Sequence, residues 1–566
     1  MLNFDKKTEN KFTLALVIIF AFVITASIIY LNSTHAILGH SYRDVYFYLL
    51  EALRMSGVNF DGYFFINYFP PFLPFLTSIL FKLGFVSESS IFITSGIFFF
   101  IAIVGMFRIL RLRFNNFFAF FGAFLYGTLW INLLWVGNGT LDIPFVALMI
   151  WALYFFIQGM EKNQKYFYLA FPFAVLCFFT KYVGAIIVGV MLLYFMSRTN
   201  ISKNIQKYFK NIVGGIIAGI ITSIPFFAYF FLNNIPLGFL NQAEDISSTT
   251  SLTASHGGKL IDNNLFYYFD GLIRNISSIN NIIAARLILA ILVIGLVLVV
   301  LMLIYALVDS FLKIKDSDSC IYKWSVSIKL FYVLLILSVI MIATSFFTAS
   351  MFSFVYSELL LFSGLYLLAY SFTKIIIGYE HVDNIWLSSY PYLAINIAMA
   401  GLFLSFLIFF TAHLTKTFRY FTSMAPGFVF LVTFSFEMLT NKMSFLKVKN
   451  FNLTYLVPIF IMCLMLFSAA DYLSDYYDDG LVISERQAAD WLNDKEGIIF
   501  SDRAPIYTWY LQKEVGYVKH ATDGNTTNQE LVDNNVTYYV AMTYKYNFTD
   551  YSTVKEFGDV VIYQKN

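Results

Sequence analysis

HSYRDVYFYLLEALRMSG, residues 40–57, and NGTLDIPFVAL, residues 138–148, each set one aspartate where an apolar stretch meets a loop. The two are Asp44 and Asp142. A carboxylate carried into the centre of a bilayer costs about 2.5–3.5 kcal/mol on insertion scales, so one at an apolar edge is first read as functional. A pair of them on one side of a membrane points to chemistry at its surface rather than to a simple channel.

Composition agrees with a membrane setting. Of 566 residues, 59% are hydrophobic and 13% charged, where a soluble chain would carry about 25% charged residues. The 66 Phe and 39 Tyr suit lipid contact and interfacial belts. A net charge of +2 implies no nucleic-acid partner. Cys177, Cys320 and Cys463 lie far apart and form neither a disulfide framework nor a zinc spacing.

Crossing about 30 Å of hydrocarbon takes about 20 apolar residues, and this chain offers about thirteen such stretches. They centre near Val23, Phe100, Phe124, Met149, Val175, Gly189, Ile220, Leu296, Leu337, Leu365, Phe403, Leu431 and Met462. The first follows Lys6, Lys7 and Lys11 and lacks a small-residue cleavage site, so it reads as a retained anchor. Basic clusters then set the orientation, because short cytoplasmic loops are enriched in Lys and Arg. Clusters at Arg108–Arg113, Lys162–Lys165, Arg198–Lys210, Lys313–Lys323 and Lys442–Lys449 all fall on the side of the N-terminus, which puts that terminus in the cytoplasm.

The expected organisation is a polytopic helix bundle over residues 1–470 and a soluble outward domain over 471–566. The outer side receives a first loop at 32–88 and a second at 233–281. The tail carries 16 acidic and 8 basic residues, and the rest of the chain a net +10. SERQAADWLNDK has helical apolar spacing, while GIIFSD, YVKHA, VTYYVAM and DVVIYQK are strand-like. A small α/β domain follows, serving as a cap or docking module. Sequons at Asn525, Asn535 and Asn547 agree with an external tail. In the first loop, residues 40–57 suit an amphipathic helix lying in the interface. In NYFPPFLPFLTSILFKLGF, Pro70, Pro71 and Pro74 precede an apolar helix too short to span.

The order of these features resembles the GT-C superfamily of integral-membrane glycosyltransferases. An aspartate in the first outer loop, a Tyr-x-Pro-Pro-like turn with a short apolar helix, and TLDIP opening the fourth span carry the likeness. FYLAFPFAVLCFFTKYVG, with Thr180, Lys181, Tyr182 and Gly184, is similar to another family segment. So is HLTKTFRYFTSMAPGF, with Lys416, Arg419, Tyr420 and Pro426. The nearest branches are the protein O-mannosyltransferase-like and aminoarabinose-transferase-like groups. The latter carry an acidic–basic pair before the proline turn, where this chain has Asn67-Tyr68-Phe69, so aminoarabinose is not the expected sugar.

The resemblance implies transfer of a sugar, a hexose such as mannose, from a polyprenyl-phosphate carrier. The acceptor would be a protein, glycan or lipid at the outer face, and the transfer inverting. Such a transfer needs a base for the acceptor hydroxyl and cations for the leaving phosphate. Asp44 is the expected base; otherwise it is a helix-start charge paired with Arg43. Asp142 is the expected second acidic residue, orienting substrate or holding a divalent metal; in TLDIP it also suits a helix start with Pro144 in the first turn. Arg419, Lys416 and Lys181 are the expected phosphate ligands, with snorkelling to the interface as the plain alternative. Arg43 and Tyr68 are secondary substrate-binding candidates. Glu244, Asp245 and His256 read as a solvated loop, and His413 as an ordinary interfacial histidine. No cofactor beyond a possible metal is expected. The rival class is a lipid-linked sugar flippase or another polytopic transporter, but no inverted repeat relates the halves.

Overall fold

The computed structural model describes residues 6–35, 43–57, 69–198, 201–240, 264–315, 322–349, 354–377, 391–413, 416–443, 447–448, 451–474, 480–518, 523–542 and 545–566. Most of these are helical. Helix α1 (Lys6–His35) leads to the short helices α2 (Arg43–Ser56) and α3 (Phe72–Lys82). Then follow α4 (Ser89–Leu110), α5 (Asn116–Thr128), α6 (Trp130–Gly137), α7 (Asp142–Glu161), α8 (Phe167–Thr180), α9 (Ile186–Arg198) and α10 (Ile201–Leu232). The second half holds α11 (Ile282–Lys315), α12 (Tyr322–Phe347), α13 (Phe354–Ile377), α14 (Pro391–Ala412), α15 (Phe421–Lys442) and α16 (Leu456–Ser474).

All thirteen expected centres fall on helices, yet not all of these helices are single spans. Among the described residues, ten are long and apolar enough to cross a membrane, and α5 with α6 forms one further, bent candidate. The bend of 50° sits at Leu129. There the Asn132 side chain donates to the freed carbonyl of Tyr126 at 2.8 Å, the kind of repair a broken helix needs away from water. The other two centres lie on α8 and α9. At 14 residues, α8 is about 21 Å long at the helical rise of about 1.5 Å per residue. Continuous apolar sequence hid this break: Lys181 takes extended backbone (φ −155°, ψ 121°) between the two helices.

Burial separates an inner set of helices from an outer one. The most apolar window of α7 is 83% buried, that of α12 only 11%. Exposed Ile, Leu and Val on α10, α11 and α12 are what lipid-facing helices should present. The core is built largely from α4, α5, α7, α14 and α15. Helix α7 starts after a turn in which Gly139 has φ +66°, a backbone state that costs any residue with a Cβ. Pro144 then occupies the first helical turn, where its missing N–H leaves no bond unmade.

The C-terminal part is a small α/β domain. Its elements are α17 (Gly480–Asn493), β1 (Ile499–Ser501), α18 (Ala504–Leu511), β2 (Gly516–Tyr517), α19 (Gly524–Asp533), β3 (Tyr538–Ala541), β4 (Tyr551–Phe557) and β5 (Val560–Lys565). The sheet order is β2-β1-β3-β5-β4. Strand β1 runs parallel to β2 and β3, with Ile499 opposite Tyr538; β5 runs antiparallel to β3 and β4. Ala488 and Leu492 of α17 pack with Ile499, Val540 and Ile562 in one core. Strand β4 has no counterpart among the expected strands. It is an edge strand whose middle is exposed, so its sequence lacks the apolar alternation that reveals a half-buried strand.

Candidate active site

Both aspartates open helices. Asp142 is the first residue of α7 and Asp44 the second of α2. Lys181 stands in the break after α8, and Arg419 in the single 3-10 turn Phe418–Tyr420 that leads into α15. These four charges meet. Lys181 Nζ donates to Asp142 Oδ1 at 2.6 Å. Arg419 Nη1 lies 3.4 Å from Asp44 Oδ2, and its Nε 4.0 Å from Asp142 Oδ2. Arg419 thus bridges the two carboxylates. Asp142 is sealed, with a side chain 3% exposed, whereas that of Asp44 is 22% exposed.

Aromatic rings wall this cluster. Lys181 Nζ lies 4.9 Å from the centre of the Tyr420 ring and 5.5 Å from that of Phe410. The Arg419 guanidinium carbon lies 5.5 Å from Tyr420 and 5.9 Å from Trp135. Tyr420 stacks on Phe410 with centroids 4.3 Å apart. Ring faces attract cations and keep water from them, which strengthens every charge interaction inside. Lys416 is buried nearby in sequence and donates from Nζ to the carbonyl of Asn264 at 2.9 Å.

The structure therefore joins Asp44, Asp142, Lys181 and Arg419 in one cluster. Tyr68 and the Arg43 side chain lie outside the described residues, as do Glu244, Asp245 and His256. His413 ends at a ring distance of 6.1 Å from Tyr420. Among the described residues, no group of three or more His, Cys, Asp or Glu could hold a metal ion. Neither Trp135 nor Phe410 was assigned a role on sequence grounds. Trp135 had a signal, standing seven residues before Asp142 on the helix that ends at the turn; Phe410 is one of 66 phenylalanines and had none. A further polar set was also missed. Arg54 of α2 pairs with Glu51 at 2.8 Å and donates from Nε to the Tyr229 hydroxyl of α10 at 3.1 Å.

A groove of about 640 Å³ runs between α9 and α13. It begins at Ala185, four residues past Lys181, and its wall is apolar apart from Glu358, Ser363 and Tyr366. Both carboxyl oxygens of Glu358 are buried without a hydrogen-bond partner among the described residues. The groove is flanked by exposed Leu192 and Leu359, so it opens towards lipid.

Residues 69–229 match the family described as dolichyl-phosphate-mannose-protein mannosyltransferase. No match is found among curated proteins. Among solved structures, ArnT from Cupriavidus metallidurans bound to undecaprenyl phosphate is similar at a TM-score of 0.50 and 11% identity, over 98% of this chain and 97% of that one. Its apo form gives 0.46 at 13% identity over the same shares. The Archaeoglobus fulgidus oligosaccharyltransferase in the apo form gives 0.49 at 13%, over 93% of this chain and 69% of that one. The chain thus has an ArnT-like fold across nearly its whole length, and in fold and in family sequence it is similar to the GT-C superfamily of membrane glycosyltransferases.

Proposed function

We propose that this protein moves a sugar, a hexose such as mannose, from a polyprenyl-phosphate carrier to an acceptor hydroxyl, with inversion and with Asp44 as base. The observation that carries the proposal is the Asp44–Arg419–Asp142–Lys181 cluster; a lipid-facing groove whose lining starts four residues past Lys181 adds to it. The difference in burial divides the labour. Asp44 is the carboxylate a substrate can reach. Asp142, sealed and held by Lys181, serves to fix Lys181 and Arg419 in place. The carrier's phosphate competes for Arg419, which loosens its hold on the Asp44 carboxylate. Asp44 then takes the acceptor proton as the acceptor oxygen bonds to the anomeric carbon. The bond from that carbon to the phosphate oxygen breaks, and the phosphate leaves with its electron pair. Arg419 and Lys181, with Lys416, stabilise the charge that develops.

The apolar groove suits an isoprenoid chain, and the undecaprenyl phosphate of the ArnT structure belongs to the same chemical class. The positions of the basic clusters and the acidic tail support a cytoplasmic N-terminus and a cell-membrane protein whose site and C-terminal domain face outward. The acceptor is a protein, a glycan or a lipid-linked glycan.

The test is transfer from radiolabelled polyprenyl-phosphate sugars to a membrane-extract acceptor, by purified wild type and Asp44→Asn. Loss of a general base is expected to lower transfer by about 10²–10⁴-fold. Equal transfer by both proteins would remove Asp44 from the mechanism. Uptake of the labelled lipid across vesicles without transfer would favour the flippase reading.

A further inference from the structure

We infer that the small C-terminal domain is a brace that sets the position of Asp44, acting through Tyr510 and Trp509 on the helix that carries it. The inference rests on reading Asp44 as the base. Helix α2 is amphipathic, and residues two apart on a helix point about 200° apart. Asp44 faces Arg419, so Tyr46 faces away from the site, and there it meets α18. The Tyr46 and Tyr510 hydroxyls are 2.9 Å apart and their ring centroids 5.7 Å apart. Tyr46 is completely buried. Next to it, the Trp509 indole stacks on Phe81 of α3, with centroids 6.0 Å apart, and donates to Glu88 Oε1 at 3.2 Å. Arg486 of α17 reaches the same carboxylate at 3.9 Å and lies over the Tyr510 ring at 5.7 Å.

One apolar cluster ties this contact to both carboxylates. It contains Val45 and Tyr46, just after Asp44, Leu141, just before Asp142, and Ile506 of α18. The far end of α2 is held separately, by Arg54 on Tyr229. A helix of 14 residues is too short to hold its place by its own stability. Its position is set by what it packs on: its apolar face lies chiefly on α3, and its first turn also meets Ile506, Trp509 and Tyr510 of the C-terminal domain. A base misplaced by about 1 Å can lose about 10²-fold in rate. Tyr46, Tyr510 and Trp509 are therefore positioning residues.

The test uses the full chain in lipid nanodiscs. Tyr46→Phe and Tyr510→Phe each remove one hydroxyl; Trp509→Ala removes the indole. Amide exchange of α2 is read by mass spectrometry, and transfer kinetics with one polyprenyl-phosphate sugar. The expected result is faster exchange in α2, by about tenfold or more, with α4 and α7 still protected. Alongside it, kcat should fall about tenfold to a hundredfold with the donor KM unchanged. The Tyr46→Phe, Tyr510→Phe double variant should be no worse than Tyr510→Phe alone, because the Tyr46–Tyr510 contact is already lost in that single variant. Unchanged exchange in α2 would overturn the brace. So would loosened α2 with intact kcat, or a donor KM that rises as far as kcat falls. Asp44→Asn run alongside separates the two ideas. An inactive Asp44→Asn beside a fully active Tyr510→Phe removes the brace alone. An Asp44→Asn that transfers at the wild-type rate removes the base and the placing role with it.

Discussion

At the scale of single residues, the Lys181–Asp142 pair bears the most strain if disturbed. Two charges taken out of water stabilise one another, and removing Lys181 leaves buried Asp142 only the more distant Arg419, at 4.0 Å, a cost of up to about 3–5 kcal/mol. Lys181→Met is expected to lower thermal stability by that order. Adding Asp142→Asn should recover most of the loss, because no charge is then left unpaired. Thermal unfolding of both variants in one detergent checks this, and strictly additive losses would show that the two side chains are not coupled. Asp44, Asp142 and Lys181 stood out as candidates in the sequence because charge is scarce beside apolar runs, and Arg419 and Lys416 because HLTKTFRYFTSMAPGF resembles a family segment. Their partnering was not. Asp142 and Lys181 are 39 positions apart, Asp44 and Arg419 375 positions apart. Only helix packing decides which cation meets which carboxylate.

At the scale of elements, the break at Lys181 matters most. A continuous apolar run cannot show where a helix stops, since hydropathy is blind to backbone torsion. The same limit hid the groove between α9 and α13. Those helices approach so closely at Gly189 that an added Cβ would lie 2.7 Å from the Phe362 ring. Gly189→Leu is therefore expected to fill the groove, with a penalty of about 1–3 kcal/mol typical of overpacking. If the groove holds the carrier's isoprenoid chain, the donor KM should rise about tenfold for a long-chain carrier, equivalent to about 1.4 kcal/mol. Transfer from a short-chain carrier should be spared. Equal loss with both carriers would place the chain elsewhere.

At the scale of the whole molecule, the domain contact carries a titratable group. Burial raises the carboxyl of Glu88 above the ordinary glutamate range, against the pull of the Tyr510 hydroxyl, Arg486 and the Trp509 indole. The docked protein thus binds a proton more readily than the unfolded chain. Its contribution to stability is complete below the ordinary range and falls as pH rises through the raised value. Stability of the docked domain should therefore decline from mildly acid towards neutral pH, and Glu88→Gln should flatten that decline. Limited proteolysis of the C-terminal domain across this range reads it; an identical pH response in Glu88→Gln would assign the effect to another group.

The sequence by itself determined the class of molecule. Apolar runs of membrane length, basic clusters after alternate runs and an acidic, strand-rich tail needed no tertiary information, because each is a local property of the chain against water or lipid. It also marked the charged residues worth following. Tertiary structure decided what those residues do for one another. It split the run around Lys181, sealed Asp142, left Asp44 reachable, and set α18 against the back of the Asp44 helix. These follow from side chains brought together from distant parts of the chain, and no local pattern of hydropathy or charge encodes a distance between them.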